Sequence, residues 1–283
     1  MRGADSFLLV SSSATTIRDL DWIARHVPAG ADVAVRDRTE ALSVLGVMGP
    51  RSRELLSMVS TGSSGGGAWS DEAFPFATSR EVVIGGRTVR ATRMTYVGEV
   101  GWELVVPVDD ALAVYDALHE AGDAPDIRLA DAGYYAIESL RLEKGYRAFP
   151  RDVNPDLTPF EAGLLFATAL GARGSGKDFL GRDALVVHRE RLRQPGPRRR
   201  VVSWVLEDPD QMVWGGELLL RDGAPAGQVT SAAYGATVGA SVGLALLRAG
   251  DTVRQDDLDA STFEIDLAGE RFRARVTMAA PLR

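Results

Sequence analysis

Past Gln194-Pro195-Gly196-Pro197 the chain breaks into short apolar runs separated by glycine-rich turns, and no other feature restricts its fold as much. The runs are Val201 to Leu206, Glu217 to Arg221, Ala226 to Ser231, Val242 to Leu247, Phe263 to Leu267 and Arg271 to Met278. None of them can satisfy its backbone polar groups alone. At this regular spacing they predict a small antiparallel β-barrel or sandwich. The Pro/Gly cluster sets a boundary at residues 192–199, with one domain over residues 1–193 and a second over 200–283.

Upstream of that boundary the periodicity alternates between helix and strand. Thr15 to Val27 carries Ile17, Leu20, Ile23, Ala24 and Val27 on one helical stripe, stopped by Pro28 and Gly30. Asp32 to Arg36 alternates as a strand, and Ala41 to Met48 reads as a second, buried one. Gly49-Pro50 then turns the chain into a helix over Arg51 to Val59. Thr61 to Ala68 is expected to be a flexible loop; it lacks the flanking strand, helix and Lys-Ser/Thr pair of a phosphate cradle. Arg80 to Ile84 and Thr88 to Tyr96 flank Gly85-Gly86-Arg87, a hairpin signal. Trp102 to Pro107 continues as a strand. Asp109 to Glu120 is a helix capped by Asp109 or Asp110, and Asp131 to Glu143 is another, ended by Gly145. The fold class is therefore α+β: helices on one face of an antiparallel sheet, followed by the barrel.

Composition narrows the chemistry. A chain of 283 residues, 45% hydrophobic and 25% charged, buries a full core without staples. It has no cysteine, which excludes disulfides, thiolate zinc sites, iron–sulfur clusters and cysteine nucleophiles. A net charge of −7 argues against a general nucleic-acid binder. The dense basic run Arg198-Arg199-Arg200 reads as linker and strand entry. His26, His119 and His188 are isolated, without metal spacing. There is no signal-peptide pattern from Met1 to Asp5 and no apolar run of about 18 residues. The expectation is a soluble cytoplasmic protein with neither nucleic acid nor membrane as partner.

Two stretches are chemically dense. In Met94 to Leu104, two glutamates and two aromatics surround a Gly-flanked turn. Glu103 interrupts an apolar run and needs a partner if buried. A heterocycle with adjacent N–H donors would supply one, because a carboxylate accepts two parallel hydrogen bonds. Tyr96 offers a ring face or a hydroxyl. The alternative is a surface hairpin with solvated glutamates. In the second stretch, Arg141, Lys144, Arg147 and Arg151 make a positive spot suited to a carboxylate tail. Equally, they read as a helix-end charge cluster pairing with Glu138 and Glu143.

Taken together, TYVGEVGWEL (Thr95 to Leu104), ESLRLEKGYRAF (Glu138 to Phe149), TPFEAGL (Thr158 to Leu164), DFLGRDAL (Asp178 to Leu185) and VTSAAYGATVG (Val229 to Gly239) resemble the glycine-cleavage T-protein superfamily, in family order over nearly the whole chain. Lys144-Gly145-Tyr146-Arg147 and Ser231 to Gly235, including Tyr234, are most similar to the folate domain of dimethylglycine and sarcosine dehydrogenases. Tyr146 stands where the iron–sulfur-assembly branch has a cysteine.

The resemblance implies an aminomethyltransferase-type folate-binding domain with tetrahydrofolate as cofactor. It implies transfer of a one-carbon unit to the folate from a small N-methyl donor, or an O- or S-methyl donor as in relatives. It also implies that Glu103 holds the pterin edge, with Tyr96 lining the same pocket. Arg141, Lys144, Arg147 and Tyr234 are further candidate folate contacts. The family's catalytic aspartate would fall just ahead of Met1, so no catalytic residue is assigned, and Ile137 replaces a pocket arginine. The expectations this leaves are a shortened transferase, a non-catalytic folate-binding or interaction module, or a chain completed by another polypeptide. A separate flavin dehydrogenase polypeptide is a candidate partner, since no flavin-binding half lies within these residues.

Overall fold

A computed structural model describes every residue except 1, 2, 4, 63, 64, 171–176, 197 and 283. The chain forms two compact units, Met1–Asp131 and Ala132–Arg283. The first contains α1 (Thr16–His26), β1 (Leu42–Met48), α2 (Ser52–Val59), β2 (Ser79–Ile84), β3 (Arg87–Arg93), β4 (Gly101–Pro107) and α3 (Ala111–Gly122). Its strands make a four-stranded antiparallel sheet in the order β1-β4-β3-β2. Gly85 and Gly86 both take positive φ, 56° and 77°, at the β2–β3 turn, where a Cβ would strain the backbone.

One face of this sheet is the core. Val47, Ala91, Trp102, Leu104 and Val106 pack with Leu55 and Leu56 of α2 and with Val114 and Leu118 of α3. Both helices thus lie on the same face, as expected. Trp102 stands edge-on to Trp69 with ring centroids 5.2 Å apart, and Phe74 completes the aromatic cluster at 6.0 Å from Trp102. Because strand side chains alternate, anchoring Trp102 in the core turns Glu103 to the opposite face.

Several local expectations change. Asp32 to Arg36 forms no strand; it is exposed and no strand pairs with it, and alternation without a partner strand does not hold an extended segment. The stripe on α1 is only half covered, with Ile17 exposed and no residue of the helix buried. Of the Thr61–Ala68 loop, residues 63 and 64 lie outside the described residues. Its end is a 3-10 turn, Gly66–Trp69, that delivers Trp69 into the core. The strand expected to reach Tyr96 ends at Arg93. Neither Asp109 nor Asp110 caps α3 through its side chain, since a 3-10 turn, Val108–Asp110, precedes the helix.

The second unit begins with α4 (Tyr134–Glu143), α5 (Pro159–Ala162) and α6 (Arg182–Arg191). The strands β5 (Arg198–Leu206), β6 (Leu218–Arg221), β7 (Ala224–Gly235), β8 (Ala240–Ala249), β9 (Phe263–Leu267) and β10 (Glu270–Thr277) follow, with α7 (Gln255–Asp259) before β9. They close an antiparallel barrel in the order β10-β5-β8-β7-β6-β9. Val202, Trp204, Leu247, Ile265 and Val276 fill its interior. On the outer face Val201, Val205, Val242 and Leu244 pack with Leu142 of α4. Burial on both faces is why Val201 to Leu206 reads as a continuous apolar run rather than an alternating one. Of the helices here, only α4 was expected. α5 is built by a capping box: Glu161 accepts from the Thr158 amide at 2.8 Å, and Thr158 accepts from the Glu161 amide at 3.4 Å.

Candidate functional site

Glu103 sits mid-strand in β4, beside Gly46 of β1 and Thr92 of β3. Glycine at the neighbouring position leaves one flank of the carboxylate without side-chain cover. A Cβ at Gly46 would touch only Met48 Cε, at 3.5 Å. On the other flank, Thr92 Oγ1 donates to Ser79 Oγ at 3.0 Å rather than to Glu103. Among the described residues the Glu103 carboxyl has neither a hydrogen bond nor an ion pair. It is half-buried, and that desolvation alone pushes its pKa above the usual glutamate value. Glu99, four residues earlier, is exposed. The two glutamates of this stretch therefore differ: one is solvated, and the other is partly withdrawn from water without a partner. Tyr96 is half-buried in the bend between β3 and β4, within the loop where Thr95 Oγ1 accepts from the Val97 amide at 3.2 Å.

The remaining candidates belong to the second unit. Arg141 is completely buried. Its Nη1 donates to Asp152 Oδ2 at 2.6 Å and to the Tyr146 carbonyl at 2.8 Å, and its Nη2 donates to Glu138 at 2.6 Å. Arg151 also reaches Glu138, at 3.1 Å. Asp152 is held in turn by the Ala148 amide at 2.9 Å and by Thr230 Oγ1 of β7 at 2.5 Å. The helix-end pairing that the sequence left open is thus present for Arg141 and Arg151. Lys144, at the end of α4, is half-buried and has no hydrogen bond or ion pair to a described residue. Arg147 donates through Nε to the Ala162 carbonyl at 3.0 Å. Tyr234 is 43% exposed near the end of β7.

Two residues hold the segment that carries Tyr234: Ser139, which sequence reasoning did not single out, and Glu143, which was expected to pair with the basic cluster and instead binds backbone amides. Ser139 Oγ donates to the Tyr234 carbonyl at 2.6 Å. One turn along α4, the buried Glu143 accepts from the amides of Thr237 and Val238 at 2.7 and 2.9 Å. The signal was available as the i, i+4 spacing of two polar residues within ESLRLE. Their partners lie some ninety positions away, which spacing cannot reveal.

Residues 1–172 match the GCVT N-terminal domain, and residues 199–282 match the glycine cleavage T-protein C-terminal barrel domain. The chain is 40% identical over 276 residues to 4-methylaminobutanoate oxidase (formaldehyde-forming) of Paenarthrobacter nicotinovorans, covering 97% of this chain and 31% of that protein. It is 38% identical to the mitochondrial sarcosine dehydrogenase of Mus musculus, covering 87% of this chain and 25% of the relative. It thus spans under a third of these relatives' length. The glycine cleavage system aminomethyltransferase T of Bartonella henselae shares the fold, with a TM-score of 0.56 and 18% identity over 85% of this chain and 83% of that one.

Proposed function

From the premise that this chain belongs to the glycine cleavage T-protein family, we propose that it binds a reduced folate and serves transfer of a one-carbon unit from an N-methyl amine to tetrahydrofolate. The observation that carries the reading is the Glu103 carboxylate, half-buried and without a partner on the open face of β4. A carboxylate in that condition fits a ligand edge bearing adjacent N–H donors, which is the chemistry of a pterin amide and amino group. The oxidase and the sarcosine dehydrogenase relatives support the donor class, since 4-methylaminobutanoate and sarcosine are N-methyl amines.

In this reading Glu103 binds and orients the pterin edge, and Tyr96 offers it a ring face or hydroxyl. Within the second unit, Ser139 and Glu143 hold the segment that carries Tyr234. Arg141 braces the second unit through Asp152 and Glu138. When bound, tetrahydrofolate supplies the nitrogen nucleophiles that accept the one-carbon unit. The protein's contribution is to hold that face in register, while the N–H donors of the ligand stabilise the Glu103 carboxylate that burial alone disfavours.

The test is calorimetric titration with 5-formyltetrahydrofolate, repeated on Glu103→Gln. Saturable binding is expected, weakened in the variant by about 1–3 kcal/mol as one charged acceptor is lost. Absence of binding at millimolar ligand would remove the proposal. Binding without one-carbon transfer would leave a non-catalytic folate module.

A further inference from the structure

The second unit carries a basic cluster that the folate reading leaves unused. Arg198, Arg199 and Arg200 open β5 and line, with Phe160, Gly163 and Phe166, a cavity of about 460 Å³. The arginines are not equivalent. Arg199 is neutralised, with its Nε 2.8 Å from Glu161 and its Nη2 donating to the Asp156 carbonyl at 2.6 Å. Arg198 donates to the backbone carbonyls of Arg191 and Gln194. Arg200 has no carboxylate partner among the described residues. Its Nη1 donates to the Phe160 carbonyl, and its Nε, like that of Arg198, is buried with no hydrogen-bond partner among the described residues.

A second guanidinium converges on the same place. Gly163 ends α5 in the left-handed conformation, φ 72°. The Nη2 atoms of Arg147 and Arg200 each lie 3.1 Å from the point that a Cβ on Gly163 would occupy, so they are no more than about twice that distance apart. Burial and the like charge of Arg200 push the Arg147 pKa down, and the nearby Asp152 carboxylate only partly offsets them. Both groups remain cations, because guanidinium does not deprotonate in proteins. Arg200, a cation partly withdrawn from water beside a second guanidinium and without a carboxylate partner among the described residues, is stabilised by an oxyanion that accepts from it. Phe160, Leu165, Phe166, Leu192 and Val253 give the cavity an apolar side, and Glu161, Arg198, Arg199 and Thr252 also line it. Phe166 is 83% exposed, and the Phe160 ring stacks on His188 at 5.5 Å.

We propose that Arg200 forms a carboxylate subsite for a small organic acid whose flat apolar body packs against Phe160 and Phe166. The carboxylate has two possible sources: the glutamyl tail of a folate, or a free aromatic acid. The subsite stands whether or not Glu103 holds a pterin, so its probes carry no pteridine ring.

The experiment titrates p-aminobenzoylglutamate and, separately, benzoylglycine into the full chain, its Arg200→Met and Arg200→Lys variants, and Phe166→Ala. Saturable binding is expected, weakened about tenfold by Arg200→Met through loss of a charge-assisted hydrogen bond and largely restored in Arg200→Lys. Phe166→Ala, altering an exposed ring, is expected to weaken binding without affecting folding. Binding of p-aminobenzoylglutamate alone would identify the folate tail; equal binding of benzoylglycine would identify a free acid. The proposal is overturned if neither probe saturates at millimolar concentration, or if a folded Arg200→Met binds as wild type does. Should Arg200→Met not fold, unchanged affinity in Phe166→Ala overturns it.

Discussion

Arg141 and Asp152 stand 2.6 Å apart, guanidinium to carboxylate, with neither side chain exposed to solvent. Glu138 takes the other end of the guanidinium at 2.6 Å, and Thr230 donates to the second Asp152 oxygen at 2.5 Å. The pair therefore ties α4, the segment after it and β7 into one unit. A buried ion pair of this kind adds little over an apolar replacement, but removing one partner strands a charge.

Asp152→Ala is accordingly expected to cost about 3–5 kcal/mol of stability, read from the urea midpoint. The double variant Arg141→Met/Asp152→Leu should recover much of that loss. If the single and double variants were equally destabilised, the stranded charge would not be the cause.

Glu103 makes an opposite prediction. Its pKa is raised by burial. A raised folded-state pKa means that its stability contribution is complete at acid pH and is lost as pH rises through the folded value. The ligand-free Glu103→Gln variant should therefore melt slightly above wild type at neutral pH, with the difference vanishing near pH 4. A variant melting lower at neutral pH would show that the carboxylate is satisfied without ligand.

Glu161 runs the other way. Burial pushes its pKa up, but Arg199 and Thr158 outweigh that and leave it lowered. Its contribution is present above the unfolded pKa and is lost as pH falls through the folded one. Stability differences between wild type and Glu161→Gln should shrink below about pH 4. Thr158→Ala, which removes the reciprocal cap, should cost about 1 kcal/mol at neutral pH in chemical denaturation.

Gly243 pairs with Trp204 across β5 and β8. A Cβ there would stand 2.1 Å from the Ser231 carbonyl oxygen and 2.4 Å from the Trp204 ring. Gly243→Ala is expected to destabilise the barrel by about 1–3 kcal/mol through overpacking, seen as a lower melting temperature and altered tryptophan fluorescence. Unchanged melting would mean that strand β7 shifts freely to admit the methyl group.

Local pattern alone was sufficient for the elements whose own residues carry the cause. Gly85-Gly86 between two alternating runs determined the β2–β3 turn, and regular turns after residue 197 determined the barrel strands. That Glu103 faces away from Trp102 follows from a strand's period of two once the structure anchors Trp102 in the core. Asp32 to Arg36 failed because a strand exists only with a partner. What the tertiary structure decided was which polar groups find each other across long separations. Sequence left Arg141 as a tail contact or a paired charge until Asp152 and Thr230 closed around it. Glu143 became a clamp on the Thr237 turn, and Arg200, read as linker, met Arg147 over Gly163. Such partners are chosen by where folding brings them, because hydrogen bonds and ion pairs act over a few ångströms of space whatever the distance along the chain.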